Sequence, residues 1–247
     1  MKLNVLHVDN HLLAVEKLAG EPVVPDESGD LSLFERAKEW VRTEYRKPGD
    51  VFLGVVHRLD RPVSGLVLFA RTSKAASRLS EQFRSRGVRK LYFGASEREP
   101  RVAKGDESGE LEQWLLKDSD ERTVAVVQER AGGAQLARTR WRIAGRSQGL
   151  VHLDLEPLTG RPHQLRVACA TLGAPLLGDV KYGAREALAD RSIALHAAEL
   201  DVEHPTQRVR VELRCAPPRQ PWWTWRHESS AAGGAGGSSA KPREERR

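Results

Sequence analysis

Two short apolar runs on either side of a charged block constrain the fold of this chain more than any other feature. Residues 51–56 and 66–70 are rich in aliphatic side chains, and each is too short to span a membrane and fits a buried strand. Residues 57–64, between them, carry two arginines and an aspartate. The pattern therefore predicts a polar connection at the edge of the core, where functional side chains often lie.

The remaining pattern predicts more strands than helices. Helices are expected at 33–45, after the Ser32 and Glu35 capping box, at 73–86, after Thr72 or Ser73, and at 163–172. Alternating segments predict strands at 4–8, 11–17, 88–95, 123–127, 138–143, 150–156, 192–202 and 209–215, whereas 97–110 is polar and loop-like. Hairpin-like neighbours favour an α+β fold with a largely antiparallel sheet. We expect one folded domain over residues 1–227, followed by a disordered Gly/Ser/Ala-rich tail over 228–247 with a charged tip.

Composition excludes several classes of protein. Hydrophobic residues make up 39% and charged residues 30% of 247 residues, which indicates a soluble globular chain without a membrane span. The first ten residues lack the apolar core of a signal peptide, so we expect a cytoplasmic protein. Cys169 and Cys215 are the two cysteines, and their spacing favours buried free thiols over a disulfide or a metal site.

Positive charge is concentrated in one segment. The net charge is +6, and residues 71–92 hold seven basic side chains against the single acid Glu81. Such a strip suits phosphate binding, although a solvated helix face would have the same composition. Trp222, Trp223 and Trp225 are expected to cover a sheet edge rather than stack on bases.

Asp60 is the candidate reactive group in the first polar block. The sequence contains no Gly-rich nucleotide loop, no paired metal-binding histidines and no Gly-x-Ser-x-Gly elbow, so we expect neither a cofactor nor a metal. Arg58 and Arg61 flank Asp60, and nearby cations favour an ionised carboxylate. Such a carboxylate can act as a nucleophile, or it can pin the turn as a structural Asp–Arg pair. Both interpretations fit this segment.

A second polar cluster follows the strand predicted at 150–156. Gly160 permits a tight turn, and His163 and Arg166 are three positions apart, so they are expected to share one helix face. A capped helix with exposed polar residues is the simpler interpretation of this segment alone. A third cluster, LGDVKYG at 177–183, lies downstream and makes a chance combination implausible.

These motifs, in this order, resemble the RluA family of RNA pseudouridine synthases. The matching elements are HRLD and SGL at 57–66, KLY at 90–92, TGRPHQLR at 159–166, GDVKYG at 178–183, and LHA to HP at 195–205. The resemblance covers about residues 3–218. The chain has Leu18, Val63 and Pro162 where the family commonly has Pro, Thr and Thr, and residues 168–170 lack the histidine common in that helix.

The resemblance implies a pseudouridine synthase-like fold, with a bent mixed sheet and flanking helices, and an isomerisation of uridine that consumes no cofactor. Asp60 matches the catalytic aspartate, Arg166 the arginine that pairs with it, and Tyr92 the tyrosine that stacks on the uracil. Arg58 matches the position that helps to displace the flipped base. His57, Lys90, Arg161 and His163 lie in the same motifs and are expected to bind the substrate.

The expected partner is structured RNA, either rRNA or tRNA, bound by a monomer that has no membrane partner. The catalytic-like region begins almost at Met1, without the S4-type RNA-binding domain that many relatives carry. Two other functions fit parts of the sequence. A non-catalytic RNA-binding or RNA-folding protein could keep the same scaffold. A glycoside hydrolase would require a second carboxyl group near Asp60, and the motifs provide arginines there instead.

Overall fold

The computed structural model describes residues 2–102, 105–118, 123–129 and 131–233. Within these residues a single sheet of eleven strands forms, in the order β1-β2-β4-β10-β5-β9-β8-β6-β7, with β3 paired to β4 and β11 paired to β10. Neighbouring strands are antiparallel except β4 and β10, which are parallel where Ser64 and Gly65 meet His196 and Ala197. The expected α+β fold with a mostly antiparallel mixed sheet is confirmed.

The elements have the following bounds. The strands are β1 (Val5–Val8), β2 (Leu12–Lys17), β3 (Gly54–Val55), β4 (Ser64–Ala70), β5 (Arg89–Ser96), β6 (Ser108–Asp118), β7 (Thr123–Val127), β8 (Gln135–Ser147), β9 (Leu150–Pro157), β10 (Leu195–Glu203) and β11 (Arg210–Arg214). The helices are α1 (Leu33–Glu44), α2 (Ser73–Arg84), α3 (Gln164–Thr171) and α4 (Thr224–Gly233), with single 3-10 turns at Val180–Tyr182 and Pro221–Trp223.

Strand β4 is buried along its whole length because helices cover both faces of the sheet around it. On one face, Leu33, Ala37 and Val41 of α1 pack in the same cluster as Val67 and Phe69. On the other face, Ala75 and Leu79 of α2 share a cluster with Leu66 and Leu68. A strand buried on both faces reads as a continuous apolar run, which is the pattern seen in the sequence.

The predicted starts of the first two helices are confirmed in detail. Ser32 caps α1, since its hydroxyl accepts from the Glu35 amide, and the Glu35 carboxylate accepts from the Ser32 amide and completes the capping box. Thr72 caps α2 through the Ala75 amide. Cys169 and Cys215 are both buried free thiols, as expected.

Two strands differ from the sequence prediction. The run at 51–56 forms only the two-residue β3: Val51 and Leu53 are buried as predicted, but Phe52 is 50% exposed. Strand β6 begins at Ser108, inside the segment expected to be a loop, and continues through a stretch that the pattern left unassigned. Its exposed face carries Glu110 and Glu112, which pair with arginines of β8, so its strand character depends on a partner far along the chain.

The tryptophans lie on a sheet face and not at an edge. Trp223 is buried against Ala95 and Ala194, and Trp225 stacks on His152 with ring centroids 4.8 Å apart. Gly145 makes room for Trp225, because a Cβ there would lie 2.2 Å from the indole.

Helix α4 extends to Gly233, so residues 228–233, expected to begin the tail, continue the helix. The remainder of the predicted tail, 234–247, lies outside the described residues. In the described parts of the chain, every helix is too short or too polar to cross a lipid bilayer.

Candidate active site

A cavity of about 570 Å³ lies where the loop before β4 faces the turn before α3. Its size is in the range of small-molecule binding pockets. All eight residues that the sequence predicted for the site line it: His57, Arg58, Asp60, Lys90, Tyr92, Arg161, His163 and Arg166. The structure therefore brings together motifs separated by more than 100 positions in the sequence.

Lys17 is hydrogen-bonded to the loop that carries Asp60. This lysine ends β2, is fully buried, and donates from Nζ to the carbonyl oxygens of Leu18, Arg61 and Val63 at 3.0, 3.0 and 2.7 Å. Burial lowers the pKa of Lys17 to about 7, against the opposing charges of nearby acids including Asp60. Two of these hydrogen bonds, to Arg61 and Val63, fix the backbone on the C-terminal side of Asp60 and join it to the end of β2.

Arg166 links Asp60 to a second carboxylate, Asp179. Arg166 donates from Nε and Nη2 to Asp179 at 2.7 Å each, and its Nη1 lies 3.4 Å from Asp60 Oδ2. Burial alone would lower the pKa of Arg166, but the hydrogen bonds and charge of Asp179, together with the charge of Asp60, raise it. Arg166 therefore stays charged, and Asp179 orients it towards Asp60.

His163 also faces Asp60, although it lies just before helix α3 and not on its face. Its backbone is left-handed, with φ 51°, and α3 begins at Gln164, so the expected i, i+3 helical pairing with Arg166 is not formed. His163 Nε2 lies 3.8 Å from Asp60 Oδ2, and Nδ1 lies 2.6 Å from the Tyr182 hydroxyl. The two predicted residues still meet at the same carboxylate oxygen.

Lys90 and Tyr92 both line the cavity, as their alternation on β5 predicted. Burial, reinforced by the charge of Asp60, raises the pKa of the Tyr92 phenol far above its usual range, so this hydroxyl keeps its proton. Lys90 donates to the Thr159 carbonyl at 3.2 Å, and burial lowers its pKa to about 8. Phe93, the next residue, lies on the opposite face of the sheet, where the Arg226 guanidinium carbon is 4.0 Å from the centre of its ring.

His57 and Arg161 line the cavity and also form hydrogen bonds to backbone groups of the protein. His57 Nε2 accepts from the Leu68 amide at 2.9 Å, and its ring stacks on Phe83 with centroids 4.9 Å apart. Burial lowers the pKa of His57 to about 3, so the ring is neutral. Arg161 Nε donates to the Leu136 carbonyl at 2.9 Å.

The arginines next to Asp60 in the sequence do not both serve it. Arg58 is exposed at the cavity wall. Arg61 forms ion pairs with Asp26 and Asp30 of the loop before α1. The expected pairing of Arg61 with Asp60 is therefore wrong. The guanidinium that contacts the Asp60 carboxylate is that of Arg166, far along the chain.

Sequence reasoning missed four residues that organise the site: Lys17, Gln164, Asp179 and Tyr182. Gln164 pins the turn before α3, since its amide donates to the Arg138 carbonyl and its oxygen accepts from the Thr159 hydroxyl. Gln164, Asp179 and Tyr182 stand inside the quoted motifs, and Lys17 stands in the early element beside Leu18. Each is a polar residue inside an apolar or turn context, which is the one signal that could have marked them.

Comparisons with known proteins identify the family to which the chain belongs. A family model described as RNA pseudouridylate synthase matches residues 11–171. The chain is 35% identical over 200 residues to an uncharacterized RNA pseudouridine synthase of Zymomonas mobilis, covering 80% of this chain and 86% of the relative. It is 36% identical over 205 residues to the dual-specificity RNA pseudouridine synthase RluA of Vibrio cholerae, covering 82% and 78%.

A solved structure, human RNA pseudouridylate synthase domain containing 4, superimposes with a TM-score of 0.72 at 25% identity, covering 87% of this chain and 89% of the other. The shared fold, the matched family region and the identity to these relatives over most of their length all point to one enzyme class. This chain belongs to the RNA pseudouridylate synthase family and is an RNA pseudouridine synthase, an isomerase.

Proposed function

We propose that this enzyme converts specific uridines of structured cytoplasmic RNA, either rRNA or tRNA, into pseudouridine, with Asp60 as the catalytic carboxylate. The observation that carries the proposal is the convergence of Asp60, Arg166 and Tyr92 on one cavity. The reaction breaks the bond from N1 of uracil to C1′ of ribose and forms one from C5 to C1′. The C5 proton is lost and N1 gains a proton, so the product is an isomer and no cofactor is consumed.

Asp60 is suited to this reaction because it is partly shielded from water and paired with a cation. Its side chain is 32% exposed and opens into the cavity, while Arg166, which contacts it, is 8% exposed. A weakly hydrated carboxylate is a better nucleophile or base than one in bulk water. Arg166 contacts the carboxylate and limits its orientation.

Tyr92 would form one wall for the flipped base. Its ring stands on β5 inside the cavity, and its hydroxyl remains protonated. We assign it to stacking on the uracil and to relaying the C5 proton. A Tyr92→Phe variant separates the two roles, since it keeps the ring and removes the hydroxyl. Retained RNA binding with slower product formation supports the relay, whereas unchanged kinetics limits Tyr92 to stacking.

Reaching the cavity requires a uridine to leave its stack, which costs a few kcal/mol. Contacts to phosphates can repay this cost. Helix α2 reaches the cavity through Phe83 and exposes basic side chains at Lys74, Arg78 and Arg84. We assign this strip to the RNA backbone and Arg58, exposed at the cavity wall, to the position vacated by the flipped base.

The role of Asp60 is tested with transcripts carrying tritium at uridine C5. The wild-type protein is expected to release tritium to water, and Asp60→Asn and Asp60→Ala are expected to reduce release by at least about a hundred-fold. Asp50→Asn, at an exposed aspartate outside the cavity lining, is the matched control and should behave as wild type. Equal release by the Asp60 variants overturns the proposal.

RNA binding and free uracil, measured with the same transcripts, give two further outcomes that would contradict the proposal. Wild-type RNA binding without pseudouridine would indicate a scaffold that binds RNA without turnover, and free uracil would indicate hydrolysis. The RNA target is identified by mapping pseudouridines in total RNA incubated with wild-type protein or with Asp60→Asn. New sites in rRNA or tRNA that depend on Asp60 are the expected result, and sites confined to other RNAs would refute the substrate assignment.

A further inference from the structure

His163 and Tyr182 form a chain of contacts that ends at Asp60 and that the reaction as described does not use. The Val124 amide donates to the Tyr182 hydroxyl at 2.9 Å. That hydroxyl lies 2.6 Å from His163 Nδ1, and His163 Nε2 lies 3.8 Å from Asp60 Oδ2. The chain joins β7, the 3-10 turn at 180–182 and the residue before α3.

The directions of these hydrogen bonds can be worked out from the number of protons available. A phenol has one proton to donate. The Tyr182 oxygen already accepts from the Val124 amide, and the opposite tautomer would turn the lone pair of His163 Nε2 towards the Asp60 carboxylate, so the Tyr182 proton is assigned to His163 Nδ1. A ring nitrogen that accepts carries no proton, so a neutral His163 has its proton on Nε2. This N–H is on the side of the ring that faces Asp60.

The surroundings keep the ring neutral. Burial lowers the pKa of His163, and the charges of Arg166 and Lys181 act in the same direction, against those of Asp60 and Asp179. The Arg166 guanidinium also lies over the Tyr182 ring, 4.9 Å from its centre. His163 therefore faces Asp60 as a polar N–H group, while Arg166 provides the positive charge.

Both N–H groups are directed at the same oxygen of the carboxylate. Arg166 Nη1 and His163 Nε2 approach Asp60 Oδ2 at 3.4 and 3.8 Å. The longer distance can shorten when the substrate is bound, as contacts in ligand-free sites commonly do. Two donors on Oδ2 leave Oδ1 for the substrate.

We infer that Tyr182 fixes His163 in its neutral Nε2–H tautomer, and that His163 is thereby a positioning residue that holds Asp60 Oδ2 and leaves Oδ1 to react. This inference rests on the proposed catalytic role of Asp60. It adds a second anchor for the carboxylate, distinct from the pair of Arg166 and Asp179.

The tautomer is measured directly by long-range proton–nitrogen NMR of protein labelled at histidine nitrogen, at pH 7. The His163 signals are assigned by their loss in His163→Gln. The expected result is a proton on Nε2 and none on Nδ1 in the wild type, and a mixture of tautomers in Tyr182→Phe. A wild-type ring protonated on Nδ1, or a spectrum that Tyr182→Phe leaves unchanged, overturns the inference.

Activity provides a second readout that a purely structural role would not give. Gln can place an N–H close to the position of Nε2, whereas Asn is too short. We expect His163→Gln to keep kcat within about three-fold of wild type and His163→Asn to lose at least about ten-fold, with KM little changed. Asn accepts left-handed backbone readily, so strain at φ 51° does not explain its loss. Equal kcat for the two variants contradicts the inference.

Tyr182→Phe is compared with Tyr45→Phe, a tyrosine at the end of α1 that lies outside the cavity lining. A roughly ten-fold lower kcat is expected for the first variant and none for the second. If Tyr182→Phe does not fold, the Gln and Asn pair at position 163 decides the question. Failure of the proposed function is recognised separately: Asp60→Asn would then stay active, whatever the His163 variants do.

Discussion

Arg166 holds Asp179 with two hydrogen bonds of 2.7 Å and approaches Asp60 with a third donor at 3.4 Å. The two shorter bonds involve a carboxylate that is 1% exposed, whereas Asp60 is 32% exposed and faces the cavity. A planar guanidinium held at two nitrogens has little freedom left. Asp179 therefore sets the direction in which Arg166 meets the proposed catalytic carboxylate.

Replacing Asp179 by Asn should damage both stability and turnover. The variant removes the negative charge that pairs with the buried Arg166 guanidinium. We therefore expect a loss of about 3 kcal/mol in the free energy of unfolding. Turnover should fall because Arg166 can turn away from Asp60. Urea unfolding and tritium release measure the two effects. Asp50→Asn, at an exposed carboxylate, should leave the unfolding free energy close to that of the wild type. Wild-type stability for Asp179→Asn would contradict this prediction.

Lys17→Met should loosen the loop that carries Asp60. The methionine fills similar volume but removes the donor from the carbonyls of Leu18 and Val63, whereas the Arg61 carbonyl still accepts from the Gly20 amide at 2.8 Å. Each unsatisfied buried group costs about 1 kcal/mol or more, so a total loss of roughly 2 kcal/mol is expected. Below the unfolding transition, kcat should fall more than KM rises, because the loop positions a reacting group. Lys47→Met, at an exposed lysine, is the control. A stable, fully active Lys17→Met variant would rule out this role.

Acid should destabilise the protein before most carboxylates titrate. Burial lowers the pKa of His57 to about 3 and of His196 to about 4. In the unfolded chain a histidine has a pKa of about 6.5. Above that pH both states are neutral and the full stability is present. As the pH falls below it, the unfolded chain binds protons that the folded protein does not, so stability decreases towards the folded pKa values.

The expected loss between pH 7 and pH 5 is about 2 kcal/mol for each of these histidines, measured by urea unfolding at each pH. His196 is hydrogen-bonded through Nδ1 to Ser64 and through Nε2 to the Cys215 carbonyl, and Gln can place an N–H close to the position of Nε2. His196→Gln should therefore make the pH dependence shallower by up to about one proton. An unfolding free energy that is constant over this range would be inconsistent with neutral buried rings.

Gly65→Ala should prevent the normal pairing of β4 with β10. Gly65 has φ +122°, and a Cβ there would lie 2.4 Å from the Ala197 carbonyl oxygen and 2.5 Å from its amide nitrogen. Both contacts are with backbone, so no side chain can move aside. We expect little folded protein, as judged by circular dichroism and thermal melting. Gly49→Ala is the matched control, since φ there is ordinary and nothing lies within 4 Å. Normal folding of Gly65→Ala would show that the strands can separate without cost.

Much of the fold was predictable because its signals are local. The capping box at Ser32, the cap at Thr72 and the alternation of Lys90 and Tyr92 on β5 all depend on neighbours within a few positions, and all three predictions are confirmed. Strand β6 was not predicted, and its first residues, 108–110, were wrongly expected to be loop, for a corresponding reason. Its polar residues are typical of a loop, and the arginines of β8 that pair with Glu110 lie about 30 positions away in the sequence.

By itself, the sequence determined the order of most elements, the family, and eight of the side chains that line the cavity. Only the tertiary structure decided which of them meet. Arg61, next to Asp60 in the chain, turns to Asp26 and Asp30, while Arg166, 106 positions away, reaches the carboxylate. The physical reason is that proximity along the chain does not determine side-chain direction at a loop, whereas a buried charge must find a partner wherever the packed fold places one.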